Sequence, residues 1–189
     1  MMKVLIVIVA LFVVSAVAQE CADLQGAAPE DLVAYLGRAD RKANVDCVTF
    51  AIRRIGKQRY QPAAPILARL LDFRRTPTDG EQAGVLTMHT FYPSIEALEE
   101  IGSASLASVL VTLGANDASE LARENAVRVW MYFHRDDAAK GVALLKRDAD
   151  ETTDPAVQKR LLWAVDKAVE RCWSDKIRCK AAAENGHVD

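Results

Sequence analysis

The sequence predicts an all-α chain on three observations. Apolar residues recur at helical spacing almost throughout, no segment alternates in the β-branched manner of a strand, and proline, glycine and capping residues punctuate the chain at helix-length intervals. With 189 residues, 51% hydrophobic and 26% charged, one sizeable core is expected. The 24 Lys and Arg against 26 Asp and Glu give a formal charge of −2, without the basic surplus that neutralises phosphates or grips anionic lipid. Nucleic acid is therefore not an expected partner.

The first residues read as an export signal. Lys3 gives a positive start, Val4 to Val14 is almost wholly apolar, and Ala16-Val17-Ala18 has the small-x-small form of a cleavage site. The apolar run is shorter than the roughly 20 residues of a permanent span, so no stable membrane span is expected after cleavage at 18. Ala18-Gln19-Glu20 lacks the small residue that lipoprotein processing wants before a cysteine, so Cys21 reads as unlipidated. The expected localisation is periplasmic or secreted.

The elements follow in order. Pro29-Glu30-Asp31 opens a short helix to Leu36, with proline at the first helical position and acids at the positive end of the dipole. Arg41 to Ile55 forms a second helix, and Gln61 to Phe73 a third with Pro62 and Pro65 in its first turns. Arg74 to Gly80 reads as a loop, and Glu81 to Phe91 as a helix broken at Pro93 that resumes over Ser94 to Ile101. Ser103 or Ala104 to Leu113 is short, Ser119 to Phe133 long. Asp136 to Ala149 and Asp154 to Cys172 complete the pattern, the last with Asp154 as N-cap and Pro155 behind it. Residues 19–28 are an N-terminal segment and 173–189 a C-terminal tail.

Four cysteines, Cys21, Cys47, Cys172 and Cys179, form an even set in a chain addressed to an oxidising compartment. Of three connectivities, Cys21 with Cys47 and Cys172 with Cys179 is favoured, because the short separations staple each end of the chain to a neighbouring helix. No Cys-x-x-Cys spacing occurs, and His89, His134 and His187 are far apart, so neither a metal nor another cofactor is expected.

Ala51-Ile52-Arg53-Arg54-Ile55-Gly56 matches Ala97-Leu98-Glu99-Glu100-Ile101-Gly102, 46 positions later. An apolar helix follows each match, Ala63-Ala64-Pro65-Ile66-Leu67 in one case and Leu106 to Leu113 in the other. Over roughly Pro29 to Cys172 the chain resembles the bacterial HEAT-like repeats, including those first noted in phycobilisome lyases. The third unit departs from the pattern, with Tyr132-Phe133-His134 where Ile-Gly is expected. The resemblance implies a short right-handed α-solenoid of about four helical hairpins, in which each hairpin covers its neighbour's apolar face. It identifies a packing signature, not a reaction.

Such scaffolds carry function on the surface of their second helices. In the third long helix Ala122, Ala126, Val129, Trp130 and Phe133 define the core stripe, leaving Leu121, Asn125, Arg128 and Tyr132 on the far side. Phe50 and Arg54 occupy the matching side of the first, and in the last Lys159, Trp163 and Glu170 oppose the inward Leu161, Val165, Ala168 and Cys172. Phe50, Arg54, Arg128, Tyr132 and Trp163 are therefore the candidate binding row, of hot-spot composition. Glu96, Glu99 and Glu100 read as a solvated acidic face, His134-Arg135-Asp136 as a polar turn, and Met88 to Tyr92 as interhelical packing. No nucleophile elbow, phosphate loop, zinc-protease helix or dinucleotide fingerprint occurs, so no catalysis is expected. The function implied is an exported scaffold or adaptor for a protein partner. The alternatives are a self-associating envelope protein and, by family analogy alone, a ligand-binding or lyase-like protein.

Overall fold

A computed structural model describes residues 21–39, 43–77, 82, 84, 86–173 and 175–187. The expected signal peptide and the start of the expected helix at Glu81 lie outside the described residues. Those described are helical, with no strand among them. No single helix among them is long and apolar enough to cross a membrane.

After a short helical stretch at 21–25, α1 spans Pro29–Arg38 and buries Leu32 and Leu36. The second helix, α2, spans Val45–Lys57. It starts later than the expected Arg41, because Asn44 takes the N-cap and its side-chain oxygen accepts from the Asp46 and Cys47 amides at 2.9 and 3.4 Å.

The third expected helix is shorter than read. A 3₁₀ turn over Gln61–Ala63, shaped by Pro62, leads into α3 at Ala64–Arg69. Its end tightens through bonds from Leu70 N to Leu67 O (3.0 Å) and from Leu71 N to Ala68 O (3.4 Å). A single turn, α4, spans Met88–Phe91, and α5 spans Pro93–Ile101. The break between them falls at Tyr92, whose backbone (φ −125°, ψ 80°) lies outside the helical region that a following proline disfavours.

A second 3₁₀ turn, Ser103–Ser105, opens α6 at Leu106–Gly114. Ser119 caps α7, Glu120–Phe133; Asp137 caps α8, Ala138–Glu151; Asp154 caps α9, Pro155–Glu170. The segment read as a tail contains a helix, α10 at Lys176–Asn185, which packs mainly on α8 and also on α9. It has no amphipathic stripe to announce it. Its legible signals are Asp175, which caps the Arg178 amide at 3.0 Å, and Gly186 at φ +71° behind it.

Helices pack in pairs along the chain, α1 on α2, α3 on α5 across the single turn α4, α6 on α7 and α8 on α9. In addition α2 packs on α5, α5 on α7 and α7 on α9, while α3 packs on both α1 and α6. One cluster of buried side chains runs from Leu24 to Ala182 through every helix except the single turn α4.

The two matched segments are equivalent in burial. Ala51, Ile52 and Ile55 are fully enclosed, as are Ala97 and Leu98 with Ile101 nearly so, and each segment precedes a 3₁₀ turn and a further helix. Their glycines differ. Gly56 is helical and lies where α2 touches α5, whereas Gly102 ends α5 at φ +91°. The positive φ of the first turn falls instead on Arg59, at +50°.

Both disulfides have the favoured connectivity. Cys21–Cys47 ties residues 21–25 to α2, and Cys172–Cys179 ties the end of α9 to α10, with Cα separations of 5.1 and 6.4 Å. Such bridges persist in an oxidising compartment.

Candidate interaction face

The helices α2, α5, α7 and α9 pack one on the next, and the candidate row is distributed along that series. On α2, Phe50 is half-buried against the core. Arg54 is also half-buried, its Nη1 donating to the carbonyls of Leu24 (2.7 Å) and Gln25. It thus fastens the N-terminal helical stretch as well as bordering the surface. Arg128 is half-buried on α7, and its enclosed Nε has no hydrogen-bond partner among the described residues. Tyr132, one turn later, is exposed; it meets Phe133 edge-on at 5.4 Å, and Arg135 lies 4.7 Å above its ring. Trp163 on α9 is half-buried against the core rather than fully outward.

Asn125 does not lie on the open side of α7. It is fully buried, and its Nδ2 donates to the carbonyl of Leu71 at 2.8 Å. The reason is that α7 contacts α3, α5, α6, α8 and α9, so Val127 and Met131 are also enclosed and a single stripe does not describe it.

The acidic residues of α5 are not simply solvated. Glu96 is 4.0 Å from Arg53 across the α2–α5 contact, and Glu99 accepts from His89 at 3.0 Å. Glu100 is half-buried, and desolvation with the nearby Glu96 raises its pKa. The hydrogen bond to Glu99 raises the pKa of His89 against the opposing effect of burial, with further support from the charges of Glu99, Glu96 and Glu100.

A histidine whose folded pKa exceeds its unfolded value contributes stability fully below about pH 6.5. That contribution is lost as pH rises through the raised folded value. His134 has the opposite sign, because burial lowers its pKa; its contribution is full above about 6.5 and lost as pH falls. His89→Gln is therefore expected to narrow the loss of stability between pH 6 and pH 8 by less than about 1 kcal/mol, as its half-exposed pair warrants. Urea denaturation at the two pH values checks this; an unchanged pH difference would show that the pair contributes nothing.

His134 sits in a turn, as read from the sequence, and its ring contacts the core at Trp130, 5.0 Å between centroids. Met88 and Tyr92 pack against the core, while Arg74 lies over the Phe91 ring at 5.5 Å.

No family model, curated protein or solved structure matches the chain. Its function is therefore argued from its own geometry. Among the described residues no cluster of three His, Cys, Asp or Glu could hold a metal ion.

The most exposed large apolar groups among the described residues, Val111 on α6 (72% exposed), Trp173 (92%) and Ile177 (83%) beside the second disulfide, are not marked by the sequence pattern. Helical spacing ranks residues around one helix but does not say which helices will cover them. The only local signal for Trp173 is its place between two bridged cysteines, beyond the last long helix.

Proposed function

We propose that this chain is an exported protein-interaction module. In this reading it is a short right-handed solenoid of four HEAT-like hairpins, α1–α2, α3–α5, α6–α7 and α8–α9, whose second helices receive a segment of a partner protein. The serial packing of α2, α5, α7 and α9 carries the reading, since it is the order in which stacked hairpins bring their second helices side by side. Two disulfides support a periplasmic or secreted location. Tyr132 under Arg135, with Arg128 one turn away, is the aromatic and arginine composition enriched at interface hot spots.

The test is site-specific photo-crosslinking with a benzophenone amino acid at Arg128, at Tyr132 and at the exposed Ala107 on the first-helix side. The same partner should be captured from the first two positions and not from Ala107, and Tyr132→Ala should weaken its binding at least tenfold, in line with a hot-spot loss of about 2 kcal/mol. Equal capture from Ala107 would sink the proposed face.

Self-association is a second reading, favoured by exposed Val111 beside a groove of about 530 Å³ lined by Leu110, Val157 and Leu161. Crosslinks from Val111 to a second copy, with mass rising with concentration, would establish it.

A further inference from the structure

Trp173 and Ile177 are the two most exposed large apolar residues among those described, at 92% and 83%. Both lie inside the ring that Cys172–Cys179 closes across 7 residues. The two cysteines are enclosed in the core, so the ring is fastened from beneath while its apolar side chains stand in solvent. Four residues of chain span at most about 14 Å, so the ring holds the indole and the isoleucine in one small patch. The packing of α10 does not use Ile177: the helix buries Cys179 and Ala182, which lie on its opposite side.

The charges around this patch are engaged to different degrees. Arg178 is drawn to Asp137 and Asp175, at 3.9 Å from each. Lys176 and Lys180, one residue before Ile177 and three after it, are exposed and form no ion pair among the described residues. Arg171 precedes the ring and is half-buried, and Glu170 beside it is taken by Lys167 at 3.0 Å. Glu184, the one carboxylate within α10, stands a turn beyond Lys180. Two ammonium groups on flexible stems therefore border the apolar pair, and such stems can lie along an apolar surface while the charges reach its polar edge.

We propose that the patch of Trp173 and Ile177, with Lys176 and Lys180 at its rim, seats the chain on an anionic lipid surface. An indole ring favours the headgroup level of a bilayer, the isoleucine beside it reaches the acyl boundary, and the lysines are drawn to acidic headgroups. The attraction is local, since the whole chain carries a formal charge of −2. A second copy of the chain suits the patch less well. A tryptophan buries about 150–250 Å² and an isoleucine less, together well short of the roughly 800 Å² per partner of a stable protein interface. A bilayer needs no such area, because a shallow apolar anchor and a few cations act together there. The inference stands apart from the adaptor reading, because it is measured with no partner protein present.

The experiment is vesicle flotation of the oxidised chain without its apolar leader up to Ala18, whose removal leaves the buried cluster from Leu24 to Ala182 whole. Vesicles of equal parts phosphatidylcholine and phosphatidylglycerol should carry the chain, and vesicles of phosphatidylcholine alone should bind it at least about tenfold more weakly. Trp173→Ala, at an exposed position, should weaken binding at least about tenfold. Lys176→Gln combined with Lys180→Gln should weaken it about 25-fold, at about fivefold for each lysine near an anionic surface. Val111→Ala, at an exposed apolar residue outside the ring, should change nothing. Failure to float, equal binding to both kinds of vesicle, or binding that survives Trp173→Ala would overturn the proposal. A mass that doubles with concentration in the parent chain and not in Trp173→Ala, without flotation, would assign the patch to a second copy instead.

Discussion

Gly56→Val is expected to lower the unfolding free energy by about 3 kcal/mol, and for a chain of this length to lower Tm by about 10 °C. A Cβ at position 56 would stand 2.7 Å from the Cα and 2.9 Å from the Cβ of Ala97, and closer still to the Glu100 carboxylate. The glutamate can swing away, but the backbone of α5 cannot, so the two helices must separate. Their interface lies among the fully enclosed Ala51, Ile52, Ile55, Ala97 and Leu98, so separation opens the core. Thermal and urea unfolding of Gly56→Ala and Gly56→Val measure the effect in graded form. Adding Ala97→Gly to Gly56→Ala should restore little, because it removes the methyl group of residue 97 and leaves the α5 backbone where it was. Full rescue by the second substitution would mean that side chains, not backbones, set the distance.

The same glycine shows where the sequence is informative and where it is silent. The match between Ala51–Gly56 and Ala97–Gly102 carries through to burial at the alanine and branched positions, because those side chains obey the helical period. The glycines match in letter only. One is chosen by a neighbouring helix and the other by a positive φ, and neither cause is local to the six-residue pattern. Capping was legible for the same reason that periodicity was: Asp154-Pro155 states both the cap and the first helical position within two residues. Asn44 carried an equally local signal three residues after Arg41, and it sets the start of α2.

The candidate row was legible only as an ordering around each helix. Tyr132 is exposed, whereas Asn125 is buried by the end of α3, 54 residues away in sequence, and no window of helical length spans that distance. Arg75 is the same case in reverse. It falls in the stretch read as a loop, yet the single turn at Met88–Phe91 offers two carbonyls that draw it inward. The burial of Arg75 is therefore a tertiary event.

Removing the first disulfide is expected to have the other large effect. A bridge closing 26 residues restricts the unfolded chain by about 3.5 kcal/mol, against about 2.4 kcal/mol for the bridge closing 7. The native side adds to this difference. Without Cys21–Cys47, residues 21–25 keep only the burial of Leu24 and the two carbonyl bonds of Arg54 to hold them on α2. Voids left by alanine do not separate the two pairs in the same direction, since Cys172 and Cys179 are enclosed as Cys47 is; the ranking rests on loop length and on the docking of residues 21–25. Denaturant unfolding should therefore rank Cys21→Ala/Cys47→Ala below Cys172→Ala/Cys179→Ala by at least about 1 kcal/mol. Hydrogen exchange gives the spatial half of the result: the first pair should lose protection in residues 21–38 while α8 and α9 keep theirs, and the second pair should release α10 alone. A reversed ranking would mean that the N-terminal stretch adds nothing to the core it covers, and that the terminal unit at α8, α9 and α10 is the one that needs a covalent tie.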